Sequence, residues 1–400
     1  MYLNFNAKAS AMVSITRNIR FIGTEDDNLD MFEGQYPLVN GISYNSYLIE
    51  DERIAIVDSV DIRRCGDWLA ALGEALEGKM PDYLIVQHME PDHSGSIHEL
   101  LMRYSDLKIV ATAKAIAMLA NFFDDIDFSP RTVAVKDGDT LSLGNTTLRF
   151  ITAPMVHWPE VMMTLDETDR VLFSADAFGT FAMSSGCGWD DEARRYYCNI
   201  VGKFGASVQT VMGKLTGLKF DMIAPLHGPV LKDDLAHYWT LYDKWSRYEP
   251  ETRGVLVAYA SIYGGTAEAA RRLALMLREQ DAGEVVLFDL ARHDVSYAVA
   301  EAFRLSHMVL CSVTYDGSVF PAMHTFLDHL ARKNFRNRVV GVMENGSWAP
   351  AAGRLICDAV SKMKDMTVVD PMVTLHSRLH NCDLPVMREL AGAICKTSRC

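Results

Sequence analysis

Between Gln87 and Gly95 the sequence reads Gln-His-Met-Glu-Pro-Asp-His-Ser-Gly, and His88, Glu90, Asp92 and His93 are all able to bind a metal ion. They follow directly on the apolar run Tyr83–Val86, which reads as a strand, so they occupy the loop at its end. Such a loop can turn several side chains toward one point. A lone histidine is usually a satisfied packing residue. Four potential ligands in one loop would repel one another or lose solvation unless a cation joined them. Three more candidates each follow a strand-like run of their own: His157 after Leu148–Thr152, Asp176 after Val171–Ala175 and His227 after Met222–Leu226. Four histidines and three carboxylates suit two metals, each with three terminal ligands, sharing one bridging carboxylate. That count leaves positions open for water or substrate, as a catalytic site requires.

A second set of residues suits a phosphate. Ser261-Ile262-Tyr263-Gly264-Gly265-Thr266 follows the run Val255–Tyr259 and opens a helical segment. Small and hydroxyl residues there let backbone N–H groups surround a phosphate at the positive helix end. The stretch is neither a Walker A loop nor a GxGxxG fingerprint. Two further loops follow strand-like runs, Ser312-Val313-Thr314-Tyr315-Asp316-Gly317 after Cys311, and Glu344-Asn345-Gly346-Ser347-Trp348-Ala349-Pro350 after Met343. Ligands bind at the carboxyl ends of strands in open α/β sheets. Trp348 offers a plane on which an isoalloxazine ring can stack, with a core aromatic as the alternative, and Tyr315 lines the same place. Asp316 and Glu344 place acids nearby, which disfavours an anionic reduced flavin.

These residues need two kinds of scaffold. Up to about residue 250, short apolar runs (Arg53–Val57, Tyr83–Val86, Leu107–Ala111, Thr147–Thr152, Arg170–Phe173, Met222–Ala224) alternate irregularly with helical segments such as Ile62–Leu76 and Asp234–Trp245. That mixture predicts an α/β sandwich-like domain over 12–250. Beyond it, runs at Val255–Tyr259, Val285–Phe288, His307–Ser312 and Val339–Met343 are separated by helical stretches, Thr266–Arg278 first, and Leu384–Cys395 closes the chain. Regular alternation predicts a doubly wound parallel sheet over 251–400.

Four hundred residues fit two or three domains. With 39 Lys and Arg against 52 Asp and Glu, the net charge of −13 argues against a nucleic-acid partner. No apolar run approaches the roughly 18 residues of a membrane span, and Met1–Ala11 has no signal-peptide core, so a cytoplasmic protein is expected. Met1 and Met12 both stand as starts. The eight cysteines (65, 187, 198, 311, 357, 382, 395, 400) form no CxxC and read as reduced thiols, with Cys395 and Cys400 in a frayed tail.

The pattern His-x-Glu-x-Asp-His, followed by a distant His, Asp and His, resembles the metallo-β-lactamase fold. Most hydrolases of that fold carry His where this chain has Glu90. The Glu variant resembles the flavodiiron proteins (A-type flavoproteins), as do His157-Trp158-Pro159-Glu160 and Asp191–Tyr197. A carboxylate is a harder ligand than imidazole, and such mixed shells suit non-haem iron better than zinc. The block beyond residue 250 resembles flavodoxin, with FMN as cofactor and its phosphate on Ser261, Tyr263, Gly264, Gly265 and Thr266. The resemblance covers about residues 15–395 and implies an αββα sandwich followed by a flavodoxin-like sheet. It implies that His88, Glu90 and His157 hold one iron, Asp92, His93 and His227 the other, and that Asp176 bridges. Tyr196 and Tyr197 stand as hydrogen-bond donors toward the centre, with core packing as the alternative, and His98 as an orienting partner or a surface residue. The implied activity is reduction of O2 to water, NO to N2O, or both. Rubredoxin, a flavoprotein reductase or a deazaflavin would feed the FMN, in a head-to-tail homodimer or a tetramer. A dinuclear zinc hydrolase with a flavodoxin-like accessory domain is the alternative, and a non-catalytic electron carrier or gas sensor a third reading.

Overall fold

The computed structural model describes residues 13–397 apart from Asp125 and Cys187. Met1, Met12, Cys187 and Cys400 lie outside the described residues. The chain packs as two units. The first takes in the chain up to Tyr197 together with Ala206–Thr240, the second Cys198–Gly205 together with everything from Leu241. Within the second unit, the Tyr248 hydroxyl donates to Gly202 O (2.8 Å) and Asn199 Nδ2 to Ser296 O (3.2 Å), which ties the short segment in.

The first unit is a pair of facing sheets. Among the described residues, one has seven strands in the order Val13–Ser14, Ile19–Phe21, Tyr47–Glu50, Ile54–Val57, Tyr83–Val86, Lys108–Thr112, Thr132–Val135. The other has five, Thr140–Ser142, Thr147–Thr152, Met162–Asp166, Val171–Phe173, Met222–Ala224. Ile49, Val57, Ile85 and Val110 of the first sheet share one core with Leu148, Phe150, Val171 and Phe173 of the second. Ile54–Val57 and Tyr83–Val86 are buried on both faces, which is why they read as continuous apolar runs and do not alternate. The helix Cys65–Leu76 buries Trp68, Leu72, Ala75 and Leu76, the three-to-four spacing of one helical face. Its expected first turn, Ile62–Arg64, is a tighter 3₁₀ turn capped by Asp61.

Direction decides where the functional loops emerge. Ile54–Val57, Tyr83–Val86 and Lys108–Thr112 are parallel neighbours. In the second sheet, Thr147–Thr152 and Val171–Phe173 both run antiparallel to Met162–Asp166, and Val171–Phe173 is parallel to Met222–Ala224. The loops after Phe173 and Ala224 therefore leave their sheet side by side, and the loop after Thr152 leaves at that same end.

The second unit is a parallel sheet in the order Glu284–Asp289, Thr252–Ala260, Leu305–Tyr315, Arg338–Asn345, with Met366–Val368 and Val373–Leu375 both added to the last strand. The pattern 2-1-3-4-5 is that of flavodoxin-like doubly wound folds. The helices Gly265–Glu279 and Leu384–Thr397 bury Leu273, Leu277, Leu390 and Ile394 against Val257, Val309 and Met343 on one face. The third strand runs past the expected loop start at Ser312 to Tyr315. Asp316 (φ 51°) and Gly317 (φ 69°) form the tight turn that folds Ser318–Val319 back onto it, the backbone a two-residue Asp-Gly hairpin demands.

His307 sits on this sheet with a buried, neutral ring: Ser306 Oγ lies 2.7 Å from Nδ1 and Thr397 Oγ1 3.3 Å from Nε2. Burial, then Arg253 and Arg338, push its pKa down to about 4. The folded value lies below the unfolded one, so the contribution is complete above pH 6.5 and is lost as pH falls toward 4. The loss amounts to about 3 kcal/mol. Urea unfolding of His307→Gln and the parent at pH 7 and pH 4.5 checks this: the variant should gain on the parent at the lower pH, and parallel losses would refute it.

Candidate functional site

The loops at the end of the first unit bring seven side chains into two groups, His88, Glu90, His157 and Asp176, and Asp92, His93 and His227. In the first, His88 Nε2 lies 3.2 Å from both Glu90 Oε2 and Asp176 Oδ2, and His157 Nε2 lies 3.0 Å from the same two oxygens. In the second, Asp92 Oδ2 lies 3.3 Å from His93 Nε2 and 3.2 Å from His227 Nε2, with the two imidazole nitrogens 3.1 Å apart. Asp176 belongs to both: its Oδ2 faces the first group, while Oδ1 lies 3.3 Å from His93 Nε2 and 3.8 Å from His227 Nε2. Both oxygens of Asp92 and of Asp176 are buried, and the imidazoles are the groups that face them. Converging donor atoms with buried oxygens suit two divalent cations sharing one carboxylate.

Hydrogen bonds fix the rings from behind. His88 Nδ1 is 2.8 Å from Glu160 Oε1, which also accepts from Met89 N (2.9 Å). His227 Nδ1 donates to Ser43 O (2.7 Å). With each Nδ1 so engaged, the Nε2 lone pairs turn to the centre. The Gln87–His88 backbone is held by Asp58, whose Oδ1 accepts from Gln87 N (2.8 Å) and whose Oδ2 accepts from Gln87 Nε2 (3.0 Å). The His227 loop is pinned by Asn45, donating to Pro225 O (2.7 Å) and Gly228 O (2.8 Å). Gly228 has φ 83°, and a Cβ there would run into Thr180, so the turn after His227 requires glycine.

Burial alone would push the His88 and His157 imidazoles down. Asp176, Glu160 and Glu90 outweigh it and hold His88 well above its ordinary range, and Asp176 and Glu90 bring His157 up to about 9. Against the same burial, these imidazoles hold Asp176 and Glu90 below the carboxylate range. A divalent cation at this centre would take the place of any proton on the ring nitrogens that face it. Walls around the groups are aromatic: Phe32, Tyr44 and Tyr196 stand 5.4, 6.1 and 5.6 Å from the His227 ring, and Trp158 stands 5.2 Å from His88.

Tyr196 therefore lies beside the site, and Tyr197 is as fully buried at the next position. His98 is partly exposed, with Nδ1 3.2 Å from Glu99; the orienting position on His88 is filled by Glu160. Sequence reasoning left Asp58, Ser43 and Glu33 unassigned and touched Glu160 only as part of a familiar tetrapeptide. Glu33, an exposed residue in the turn between Met31–Phe32 and Tyr36–Pro37, turns its carboxyl toward Glu90 and accepts from Gln35 Nε2 (2.9 Å). Replacing Glu160 by Gln keeps the shape and removes the charge. Metal affinity should fall roughly tenfold or more in chelator competition, and unchanged affinity would exclude the orienting role.

In the second unit the three expected loops stand at the carboxyl ends of adjacent parallel strands. Gly264 (φ 94°) caps the helix Gly265–Glu279, with open space where its side chain would be, and Gly264 N donates to Ser261 Oγ (3.1 Å). The first N–H groups of that helix are left for a ligand, as at any helix start. Tyr263 is 100%, Trp348 92% and Tyr315 45% exposed, uncovered aromatics on two loops and a strand end that a flat ring system would cover. Other candidates hold the loops. Thr314 Oγ1 accepts from Ala351 N (2.9 Å) and Ala352 N (3.1 Å), and the Asn345 amide donates to Thr266 Oγ1 (3.2 Å). Glu344 accepts from Gly353 N (2.8 Å) and Thr374 Oγ1 (2.9 Å), which hold its carboxyl against the chain.

Among the described residues, no helix is long and apolar enough to cross a membrane. The family model of the ODP family beta lactamase matches residues 42–228. An anaerobic nitric oxide reductase flavorubredoxin of Pectobacterium carotovorum is 31% identical over 349 residues, 84% of this chain and 69% of that protein. Among solved structures, rubredoxin oxygen:oxidoreductase from Desulfovibrio gigas superposes with a TM-score of 0.90 at 24% identity, covering 97% of this chain and 98% of its own. The flavodiiron protein from Giardia intestinalis superposes with a TM-score of 0.90 at 22% identity, covering 98% and 100%. At these identities the structural likeness is one of fold.

Proposed function

The chain belongs to the flavodiiron protein family, and on that premise we propose that it is an oxidoreductase that reduces O2 to water, NO to N2O, or both, at a non-haem diiron site served by FMN. The observation that carries the reading is Asp176, whose two oxygens face two separate ligand groups. His88, Glu90 and His157 hold one iron, and Asp92, His93 and His227 the other. Glu90 gives the first group a hard carboxylate donor, which suits iron. Glu160 and Ser43 keep the His88 and His227 rings aimed, and Phe32, Tyr44, Trp158 and Tyr196 keep bulk water from the centre. Ser261, Tyr263, Gly264, Gly265 and Thr266 take the FMN phosphate, and Tyr315 and Trp348 flank its ring.

When bound, the irons and reduced flavin supply electrons, four with four protons to turn O2 into two waters, or two with two protons to turn two NO into N2O and water. The electron donor is rubredoxin or a flavin- or deazaflavin-dependent reductase; the names of the Pectobacterium and Desulfovibrio relatives support the first. A head-to-tail homodimer, or a tetramer of two such dimers, belongs to the same reading, and a strictly monomeric but fully active protein in sedimentation would refute it. So does a cytoplasmic location, where thiols such as Cys65 and Cys311 stay reduced.

The deciding experiment measures iron, zinc and FMN per chain in purified protein, then turnover on adding O2, or NO, to reduced protein in deoxygenated buffer. Two irons and one flavin, with turnover of either gas, are expected. Two zincs without iron, reproduced after iron-rich expression, would replace this reading by the hydrolase.

A further inference from the structure

The phosphate loop Ser261–Thr266 contains no cation. A phosphate monoester carries roughly −1.5 to −2 charges at neutral pH. A helix start and hydroxyl groups offset part of that, and the chain around the loop holds one further resource.

Strand Val373–Leu375 runs parallel to Arg338–Asn345 with Leu375 opposite Asn345, so the residues after Leu375 leave the sheet beside the Asn345–Trp348 loop. They then cross the start of the helix Gly265–Glu279. Asn345, 4% exposed, secures the crossing: its Nδ2 donates to Ser377 O (3.0 Å) and Thr266 Oγ1 (3.2 Å), and its Oδ1 accepts from Ser377 N (3.0 Å). Ser377 Oγ donates to Ser347 Oγ (2.8 Å). The crossing is tight enough that a Cβ on Gly265 would run into the Ser377 carbonyl oxygen and stand 3.5 Å from the Arg378 Cα. Gly265 is thus glycine because another strand of chain lies against it, and that chain carries His376, Arg378 and His380. Arg378 is exposed, and among the described residues its guanidinium makes no ion pair; its own N–H is occupied by His376 O (3.0 Å).

We infer that Arg378 is the cation of the flavin phosphate site, held against the phosphate loop by the Asn345–Ser377 bridge. The inference rests on the FMN reading above. A guanidinium suits a phosphate because its planar fork meets two oxygens at once, which a lysine does not. The FMN site would then have four loops, the fourth being His376–His380. Because the group acts on the phosphate alone, it discriminates FMN from riboflavin and leaves the ring contacts of Trp348 and Tyr315 untouched.

The test uses the full chain stripped of flavin, titrated with FMN and separately with riboflavin, and read by flavin fluorescence. Arg378→Gln should weaken FMN roughly tenfold or more, the size of one charge-assisted hydrogen bond. Riboflavin affinity should stay within twofold, and Arg378→Lys should lie between the two proteins for FMN. FMN binding to Arg378→Gln within twofold of the parent would overturn the inference and leave the flavin site standing. Equal losses for FMN and riboflavin would overturn it too, since Arg378 would then be holding the loop and not the phosphate. A parent chain that bound neither flavin would remove the FMN reading itself, a different result from either.

Discussion

Substituting Asp176→Asn should remove at least one of the two metals and abolish turnover, by more than a hundredfold. The reason is geometric. Asp176 Oδ2 stands 3.0 and 3.2 Å from His157 and His88, and Oδ1 stands 3.3 Å from His93. An amide of the same shape keeps one acceptor oxygen and turns an NH2 donor toward the other group, where a cation would repel it. Residues that merely orient a metal ligand typically cost about 10–100-fold when changed, and a shared ligand should exceed them. The loss should be local. Far-ultraviolet circular dichroism and FMN content should stay at parental values, because the flavin loops lie in the other unit. A variant that kept two irons per chain and activity within tenfold of the parent would show that Asp176 does not bridge. His98→Ala is the useful contrast: partly exposed and beside Glu99, it should leave metal content unchanged.

How much of this could be read without coordinates depended on whether a residue's role is local. The strand-end loops were legible because four potential ligands fall within Gln87–Gly95 and the runs that precede each candidate are short and apolar. Glu160 is different. It reaches His88 across 72 positions, and nothing in its own neighbourhood marks it as a ring-orienting carboxylate. Asp58 and Ser43 are hidden for the same reason: Asp58 accepts from the Gln87 backbone and side chain 29 positions on, and Ser43 O from His227 184 positions on, and neither contact exists before the chain folds. The hairpin Met31–Phe32/Tyr36–Pro37, which brings Phe32 and Glu33 to the site, has two-residue strands, too short for any periodicity. The edge strands Met366–Val368 and Val373–Leu375 have three residues each, and Asp370-Pro371 breaks the run between them. Missing those strands meant missing the His376–His380 loop. The run Ser312–Gly317 reads as a loop, whereas Ser312–Tyr315 continue the strand, because polar residues at the end of a strand that turns back as a hairpin look the same in sequence as polar residues in a turn.

Arg338 makes the same point with a measurable consequence for stability. In Phe335-Arg336-Asn337-Arg338 nothing local sets it apart from Arg336, yet it is 2% exposed. Its guanidinium donates to Tyr248 O (2.7 Å), Asn337 O (2.8 Å), Phe303 O (2.6 Å) and Leu305 O (2.8 Å), with longer bonds to Ala302 O and Arg336 O (both 3.2 Å). Ala302 and Phe303 close the helix Val295–Arg304, so a positive charge meets the negative end of that helix and fills carbonyls the helix cannot satisfy itself. Burial pushes its pKa down to about 10, so the charge persists at neutral pH. Arg338→Met should therefore cost about 3–5 kcal/mol, because several buried carbonyls lose their donor at once and each such loss costs roughly 1–3 kcal/mol before the structure relaxes. Arg338→Lys keeps the charge but has three donors on one point, so it should recover only part of the loss. Urea unfolding followed by flavin release and by circular dichroism measures both, and iron content of the folded variants should not change. A loss below 1 kcal/mol for Arg338→Met would mean that water replaces the guanidinium at these carbonyls.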